Sequence, residues 1–254
     1  MGKGTGIGWT DATFNSWWGC TKVSPGCDFC YAEAFDKRVG GAHWGKAQPR
    51  RIFGQKHWNE PILWNRAAGR AHEITKVFCG SMMDVMDDEA PAGQRERLWV
   101  LIDETPNLLW QLLTKRPQRY VRYLPEEGFR HNNVILGATT ENQKFYDVRM
   151  RHLDNSVIAL RRRGYMHQVQ NFISYEPALG PIKMGPLHPD WVIFGGETGH
   201  GRRPMELRWA EAIKAECEYV GIPFFMKQMS AATPNQAKDL IPVHMLSHKF
   251  PETV

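Results

Sequence analysis

Short apolar stretches recur along the chain, and amphipathic helical stretches lie between several of them. The apolar stretches have the length and the β-branched or aromatic character of buried strands. They are Lys76–Gly80, Leu108–Leu113, Val134–Ala138, Asn171–Tyr175, Trp191–Gly195 and Pro223–Met226. The predicted helices are Tyr31–Arg38, Gly93–Glu104, Lys144–Leu153 and Leu207–Val220. This alternation predicts an α/β fold with a parallel sheet, either open or closed into a barrel.

The size and composition of the chain fit one such sheet. A length of 254 residues suits a single domain over residues 1–254, and 42% hydrophobic residues exclude intrinsic disorder. No apolar run approaches the roughly 18–20 residues of a membrane helix, and Met1–Ala12 lacks the apolar segment of a secretory signal. We therefore expect a cytoplasmic protein without a membrane partner. The charged stretch 43–73, rich in His, Trp and Arg, is predicted to be an insertion or a substrate-facing loop.

The cysteines are the first sign of chemistry. The chain has five, and an odd number without an export signal argues against a disulfide framework. Cys20, Cys27 and Cys30 lie close together in the sequence, which points to metal or redox chemistry. The alternative is three buried small hydrophobic side chains, which we disfavour because free cysteines seldom cluster in a loop. Cys79 and Cys217 lie in apolar surroundings and are predicted to be such buried side chains.

Three thiolates leave one coordination position to be filled. Pro25 and Gly26 supply a turn that brings Cys20 back towards the C-x-x-C pair Cys27 and Cys30. A structural zinc site needs four protein ligands, and His43 is the nearest candidate for the fourth. An iron–sulfur cluster with one iron lacking a cysteine fits three thiolates more naturally.

Polar residues follow almost every predicted strand. They are Ser81 and Asp84, Thr114 to Arg116, Thr139, Glu141 and Asn142, Ser174 and Glu176, Gly195 to Glu197, and Lys227 and Gln228. A single residue of this kind is usually a helix cap, and for Ser81 or Thr139 alone that alternative is the stronger one. Because chemistry in parallel α/β folds sits at the carboxyl ends of the strands, the whole set predicts one shared pocket.

The charge balance permits a polyanionic partner without requiring one. The formal net charge is +5. Lys115 and Lys227 directly follow predicted strands, so we expect their side chains at the mouth of the pocket, where they would contact an anionic substrate. Arg161–Arg163 has no strand before it and is predicted to be a solvated face.

The cysteine triplet, the α/β pattern and the polar strand ends together resemble the radical S-adenosylmethionine (SAM) superfamily. The common spacing there is C-x3-C-x2-C, whereas this chain has C-x6-C-x2-C with Phe29 before the last cysteine. The resemblance implies a partial parallel (β/α) barrel of about six to seven strands. It also implies a [4Fe–4S] cluster whose open iron binds SAM, and reductive cleavage of SAM to a 5′-deoxyadenosyl radical.

A closer resemblance is to a phage and prophage family that is described as radical-SAM-like or of unknown function. The matching segments occur in order along nearly the whole chain. They are Gly8–Asp11, Trp18–Cys27, Cys30–Glu33, Leu112–Pro117, Glu141–Gln143, Ser174–Pro177, Gly195–Gly199 and Pro223–Gln228. This resemblance supplies no substrate.

The resemblance implies roles for individual residues. Cys20, Cys27 and Cys30 would bind the cluster, with Phe29 and Tyr31 flanking SAM. The amino group of SAM would contact residues after the first predicted strand. The ribose or the carboxylate of SAM, or the substrate, would contact residues after later strands. The amino-group residues are Gly80, Ser81 and Asp84; the later ones are Glu141, Asn142, Ser174 and Glu176, with Glu197 in the pocket wall. The candidate catalytic residues are Lys115, Glu141, Glu176, Glu197 and Lys227.

The substrate that we favour is a nucleic-acid base, for example a hypermodified thymine in phage DNA. The expected partners are SAM, DNA or a modified nucleotide, and an electron donor such as a flavodoxin or ferredoxin. The alternative hypothesis is a zinc-stapled nucleic-acid-binding protein without catalysis. In it Cys20, Cys27, Cys30 and His43 hold zinc, and Lys115, Arg116, Arg202 and Arg203 contact phosphates.

Overall fold

A parallel sheet organises the chain in the computed structural model, which describes residues 4–162 and 170–251. Its strands are β1 (Ala12–Thr13), β4 (Thr75–Cys79), β5 (Leu108–Thr114), β6 (Val134–Thr140), β7 (Asn171–Tyr175), β8 (Val192–Gly195) and β9 (Phe224–Gln228). They lie side by side in that order, and each pairs in parallel with the next. Since β1 and β9 are the two edges among the described residues, the sheet is a partial barrel. The predicted fold class is confirmed.

Helices connect the strands and cover the convex side of the sheet. They are α1 (Tyr31–Arg38), α2 (Gln55–Trp58), α3 (Glu60–Ala71), α4 (Gln94–Asp103), α5 (Tyr120–Tyr123), α6 (Gln143–Arg162), α7 (Leu207–Val220) and α8 (Pro234–Asp239). The short strands β2 (Trp17–Trp18) and β3 (Arg51–Ile52) pair into an antiparallel ribbon beside the main sheet. Among the described residues, no helix has the length and apolar character that crossing a membrane requires.

Both faces of the sheet are buried, which is why its strands are continuous apolar runs. All seven residues of β6 are buried. Trp9, Phe78, Phe172 and Trp191 belong to the cluster on the concave side, where Trp9 packs against the other three rings. Gly137 leaves room for the Phe172 ring there, because a Cβ at this position would lie 2.2 Å from it. The aromatic cluster fills the lower part of the partial barrel and leaves its carboxyl edge open.

The six predicted strands and the four predicted helices are all present at the predicted places, but the structure also holds elements that were not predicted, among them the short helices α5 and α8. The sequence pattern missed β1 and the β2–β3 ribbon, because strands of two residues carry no detectable alternation. The 43–73 stretch holds β3, α2 and α3, and α3 contacts β4 and β5; that this stretch is an insertion stays a prediction. Helix α6 extends well beyond the predicted Leu153. That residues 1–254 form a single domain stays a prediction.

Candidate active site

The carboxyl ends of the strands open into a cavity of about 620 Å³. Pockets that bind small molecules measure roughly 300–1,000 Å³, so the cavity has the size of a ligand site. Most of the predicted site residues line it: Cys20, Cys27, Phe29, Cys30, Tyr31, Gly80, Ser81, Asp84, Lys115, Ser174, Glu176, Glu197 and Lys227. Glu141 and Asn142 do not line it, and neither does His43.

The three clustered cysteines are free thiols on one wall of this cavity. Cys27 is buried, and Cys20 and Cys30 are partly buried. Within residues 4–162 and 170–251, no three His, Cys, Asp or Glu side chains already surround one point as metal ligands. That Cys20, Cys27 and Cys30 bind a metal centre therefore stays a prediction. Cys79 and Cys217 are fully buried in the main core, as buried hydrophobic side chains would be.

Hydrogen-bond donors lie next to the thiols of Cys20 and Cys30. Burial raises the pKa of the Cys20 thiol, and the guanidinium of Arg116, whose Nη1 lies 3.7 Å from its Sγ, opposes this rise. Cys30 is the N-cap of α1. Burial raises the pKa of its thiol too, against the backbone N–H groups of Glu33 and Ala32 and the charge of Lys115. These donors would stabilise thiolates once a cation binds.

The cysteine loop comprises residues Cys20–Cys30. A buried ion pair at the ends of β4 and β5 holds the first half of this loop. Arg116 Nη1 donates to Asp84 Oδ2 at 2.6 Å, and its Nη2 donates to the Thr21 carbonyl at 2.5 Å. Burial alone would raise the pKa of Asp84, but the charge of Arg116 and a hydrogen bond from Thr114 hold it below its ordinary value. Asp84 therefore positions the loop through Arg116.

A second ion pair fixes the same half of the loop. The backbone N–H of Thr21 donates to Asp87 Oδ2 at 3.1 Å, and Arg50 Nη2 donates to the same oxygen at 3.1 Å. The Arg50 and Asp87 side chains are each only 2% exposed. Charges buried this deeply are stable only when they are paired, so this contact is part of the fold.

The second half of the loop rests on Glu141 at the end of β6. Ser24 Oγ donates to Glu141 Oε1 at 2.5 Å, and the Gly26 N–H donates to Oε2 at 3.3 Å. Arg149 and Lys115 also face this carboxylate, at 3.1 and 3.6 Å. Burial would raise the pKa of Glu141, but these two cations and the Ser24 hydroxyl hold it low. Glu141 thus lies beneath the cysteine loop, outside the cavity in which a ligand contact was predicted.

A third strand-end carboxylate reaches the loop through an arginine. Glu197, which follows β8, accepts hydrogen bonds from the side chain and backbone N–H of Arg203. Arg203 Nη2 in turn donates to the Pro25 carbonyl at 2.9 Å, and its guanidinium lies 5.1 Å from the centre of the Phe29 ring. The hydrogen bonds that Arg203 donates to Glu197 raise the pKa of Arg203. Phe29 itself is 43% exposed.

The remaining predicted residues bond to other parts of the cavity lining or to the start of a helix. Tyr31 donates its hydroxyl to the Ser81 carbonyl at 2.7 Å. Glu176 forms an ion pair with Lys227 and accepts from Ser174 Oγ at 3.3 Å. Asn142 accepts from the Phe145 N–H at 3.3 Å, as a residue at the start of a helix does.

His43, the candidate fourth zinc ligand, is engaged elsewhere. Its Nδ1 lies 2.7 Å from Asp36 Oδ1, and its backbone N–H donates to Asp36 Oδ2 at 3.0 Å. The structure therefore does not bring His43 to the cysteine wall of the cavity.

Sequence reasoning missed the residues that hold the cysteine loop from outside the cavity. These are Ser24, Arg50, Asp87 and Arg149. Ser24 could have been suspected, since it is a hydrogen-bonding residue inside the cysteine loop. The others lie far from the loop in sequence, and nothing in their own neighbourhood marks them.

Gly26 offers a test of the contact between the loop and Glu141. A Cβ at this position would lie 2.5 Å from the Glu141 carboxylate, so Gly26→Ala forces the loop away from its anchor. We expect a loss of about 1–3 kcal/mol in the free energy of unfolding, measured by urea denaturation. Gly185→Ala is the matched control, because a Cβ at Gly185 has no neighbour within 4 Å among the described residues. Equal stabilities of the two variants would contradict the contact.

Comparisons with known proteins identify one family and a set of similar folds. A family model described as "Protein of unknown function (DUF5131)" matches residues 4–246. A search of the curated proteins finds no match. Among solved structures, the chain is similar to two mutants of spore photoproduct lyase, at 12% identity and TM-scores of 0.49 and 0.47. The second was solved with bound AdoMet and dinucleoside spore photoproduct. The alignments cover 73% and 81% of this chain but only 56% and 60% of the lyase chains.

Proposed function

The chain belongs to the DUF5131 family of proteins of unknown function, and we propose that it is a radical SAM enzyme that modifies a nucleic-acid base. One observation carries the proposal: Cys20, Cys27 and Cys30 all open on a ligand-sized cavity at the carboxyl edge of a parallel sheet. Active sites of parallel α/β folds lie at this edge. Because the His43 ring is bound to Asp36, three thiols remain as candidate ligands. Three thiols suit an iron–sulfur cluster with one open iron better than a zinc site, which needs four protein ligands.

The surroundings of the thiols support this donor set. Arg116 donates to Cys20, and the first backbone N–H groups of α1 face Cys30. N–H donors and positive charge near sulfur stabilise thiolates and tune the metal centre that they hold. The loop that carries the cysteines is tied to the sheet by Asp84, Glu141 and, through Arg203, Glu197. A loop anchored at several points keeps its ligands in a fixed arrangement.

When bound, the cluster would supply the electron that cleaves SAM to a 5′-deoxyadenosyl radical. The residues of this chain form the wall of the cavity. Trp9, Phe78 and Leu113 form an apolar part of the cavity wall, which excludes water from the place where a radical would form. The Tyr31 hydroxyl, fixed on the Ser81 carbonyl, holds its ring beside Cys30, where a flat adenine or substrate base could stack.

A nucleic-acid base is the substrate class that these features support. Phe29 and Tyr31 line the cavity although 43% and 56% of their surfaces are exposed, as rings that stack on a base entering from solution would be. The net charge of +5 favours a polyanionic partner. A hypermodified thymine in phage DNA is the form that we favour. The flavodoxin or ferredoxin partner and the cytoplasmic location remain predictions from the sequence.

Anaerobic reconstitution tests the proposal. We expect the chain to take up about four iron atoms, to turn brown, and to form 5′-deoxyadenosine from SAM when a reductant is added. The assay is run with and without DNA, since a base substrate should raise the yield. A colourless protein that retains zinc and forms no 5′-deoxyadenosine would overturn the proposal.

A further inference from the structure

The cations that directly follow the predicted strands are already matched by carboxylates. The pairs are Lys115 with Glu141, Arg116 with Asp84, and Lys227 with Glu176. A phosphate that entered the cavity would have to compete with a partly or fully buried carboxylate for each of these cations. The expectation that Lys115 and Lys227 receive an anionic substrate therefore has little support from their surroundings. The charge pairing favours an uncharged group in the cavity.

Glu176 and Lys227 both line the cavity, as Asp84 and Arg116 also do, whereas Glu141 does not. Arg116 is already bound to Asp84 and to the Thr21 carbonyl of the cysteine loop, so the pair of Glu176 and Lys227 is the one with no such role in the loop. The two residues lie at the ends of β7 and β9, with β8 between them. Their side chains meet across Gly195, whose missing side chain makes the contact possible. A Cβ on Gly195 would lie 2.8 Å from Glu176 Oε2. The side chains are 12% and 22% exposed and line the cavity, so a ligand in the cavity can contact them.

This ion pair keeps unused hydrogen-bonding capacity. An ammonium has three protons, and within the described residues the Lys227 ammonium donates one hydrogen bond, to Glu176. A carboxylate has about four acceptor sites, and in the same part of the chain Glu176 accepts from Ser174 and Lys227. A donor and an acceptor thus stand side by side in the cavity. A complementary ligand presents an N–H next to a carbonyl.

The aromatic lining of the cavity favours a flat ligand. Trp9 and Phe78 line it but are almost fully buried, whereas Phe29, Tyr31 and Trp44 are more exposed and can offer a ring face. Aromatic side chains bind planar heterocycles by stacking, whereas a flexible polar chain gains little from them. A planar ring with an N–H beside a carbonyl is the lactam edge of thymine, uracil or guanine.

We propose that Glu176 and Lys227 recognise an uncharged nucleobase through its lactam edge, with Glu176 accepting from the ring N–H and Lys227 donating to the neighbouring carbonyl. The phosphates of the substrate stay outside the cavity. This assignment rests on the proposed function for the biological role of the base. The binding itself requires neither the cluster nor SAM, so it can be measured separately from catalysis.

The ligand side of the contact gives the first test. Binding of thymidine, 3-methylthymidine, deoxycytidine and inorganic phosphate is measured by calorimetry or ligand-detected NMR, on the full chain with and without a reconstituted cluster. We expect thymidine to bind roughly ten- to a hundredfold more tightly than 3-methylthymidine, which lacks the ring N–H. Deoxycytidine presents an amino N–H beside an unprotonated ring nitrogen instead of a ring N–H beside a carbonyl, so recognition of the lactam edge predicts weaker binding than for thymidine, and equal affinity would contradict it. Phosphate should not compete with thymidine.

The protein side gives the second test. Glu176→Gln and Lys227→Met should each weaken thymidine binding roughly tenfold or more, and Gly195→Ala should do so by displacing Glu176. The matched controls are Glu218→Gln and Lys214→Met, which alter an exposed carboxylate–ammonium pair on α7 outside the cavity. Thermal unfolding of each variant separates lost binding from lost folding.

Several outcomes would overturn the proposal. Equal affinity for thymidine and 3-methylthymidine, or no thymidine binding by the unaltered chain, would exclude lactam recognition whether or not the variants fold. If Glu176→Gln weakened SAM binding and left thymidine binding unchanged, the pair would belong to the SAM site. If the chain bound thymidine as expected but took up no iron, the proposed function would fail while this assignment stood.

Discussion

Replacing any one of Cys20, Cys27 or Cys30 with alanine is expected to abolish both iron uptake and the formation of 5′-deoxyadenosine. A cluster held by three thiolates has no spare protein ligand, so losing one thiol leaves an inadequate site. His43, the candidate fourth ligand in the sequence, is not available as a substitute, because its ring is already bound to Asp36. Iron content, visible absorption and 5′-deoxyadenosine yield are measured after anaerobic reconstitution of each variant.

Cys79→Ala and Cys217→Ala are the matched controls. Both residues are fully buried in the core, so the substitutions should keep iron uptake and lower only the free energy of unfolding, by about 1 kcal/mol. If Cys79→Ala removed the iron while Cys20→Ala retained it, the assignment of the cluster ligands would be wrong. If all five variants kept their iron, the chain would hold the metal by other residues.

The sheet could be predicted because the signal for a buried strand lies in the strand's own residues. Buried parallel strands such as β5 and β6 are apolar over their whole length, and that signal lies within a few consecutive residues. The cysteine loop was found for the same reason, since three thiols in one short segment stand out against any background. The carboxyl ends of parallel strands then had to share one edge, which brought most of the predicted residues to one cavity.

The partners of the charged residues could not be predicted, because they depend on contacts between distant segments. Arg116 contacts Asp84 across 32 positions of sequence, and Ser24 contacts Glu141 across 117. At the sequence level Glu141 was indistinguishable from Glu176, since both follow a strand. The structure separates them: Glu141 lies beneath the cysteine loop, and Glu176 faces the cavity.

These pairings also explain why the mouth of the cavity is less basic than the sequence suggests. Lys115 and Lys227 were expected to attract an anion, but each faces a carboxylate within the fold. Two of the strand-end carboxylates therefore have two roles in this chain. Asp84 and Glu141 position the cysteine loop, and they neutralise cations that would otherwise select for phosphate.

Asp84→Asn and Arg116→Met are each expected to lower the free energy of unfolding by about 3–5 kcal/mol, the largest stability effect that we anticipate in this chain. The two side chains are only 7% and 3% exposed. Arg116→Met leaves the buried Asp84 carboxylate without its cation, and Asp84→Asn leaves Arg116 with only the longer ion pair to Asp87, at 3.6 Å. Arg116 also bonds the Thr21 carbonyl beside Cys20, so either variant should release the first half of the cysteine loop. Urea denaturation of the metal-free chain measures the free energy of unfolding. Iron content after reconstitution shows whether the cysteine loop still binds the cluster.

The control for this pair is the exposed contact between Arg208 and Glu206, whose side chains are 75% and 50% exposed. Arg208→Met should change the free energy of unfolding by no more than about 0.5 kcal/mol, because exposed ion pairs contribute little. The double variant Asp84→Asn/Arg116→Met should be less damaging than the sum of the two single variants, since it removes both buried charges together. Losses that simply add would show that Asp84 and Arg116 act independently. If the Arg116→Met variant is destabilised but folded and takes up iron fully, Arg116 stabilises the fold without positioning the cysteine loop.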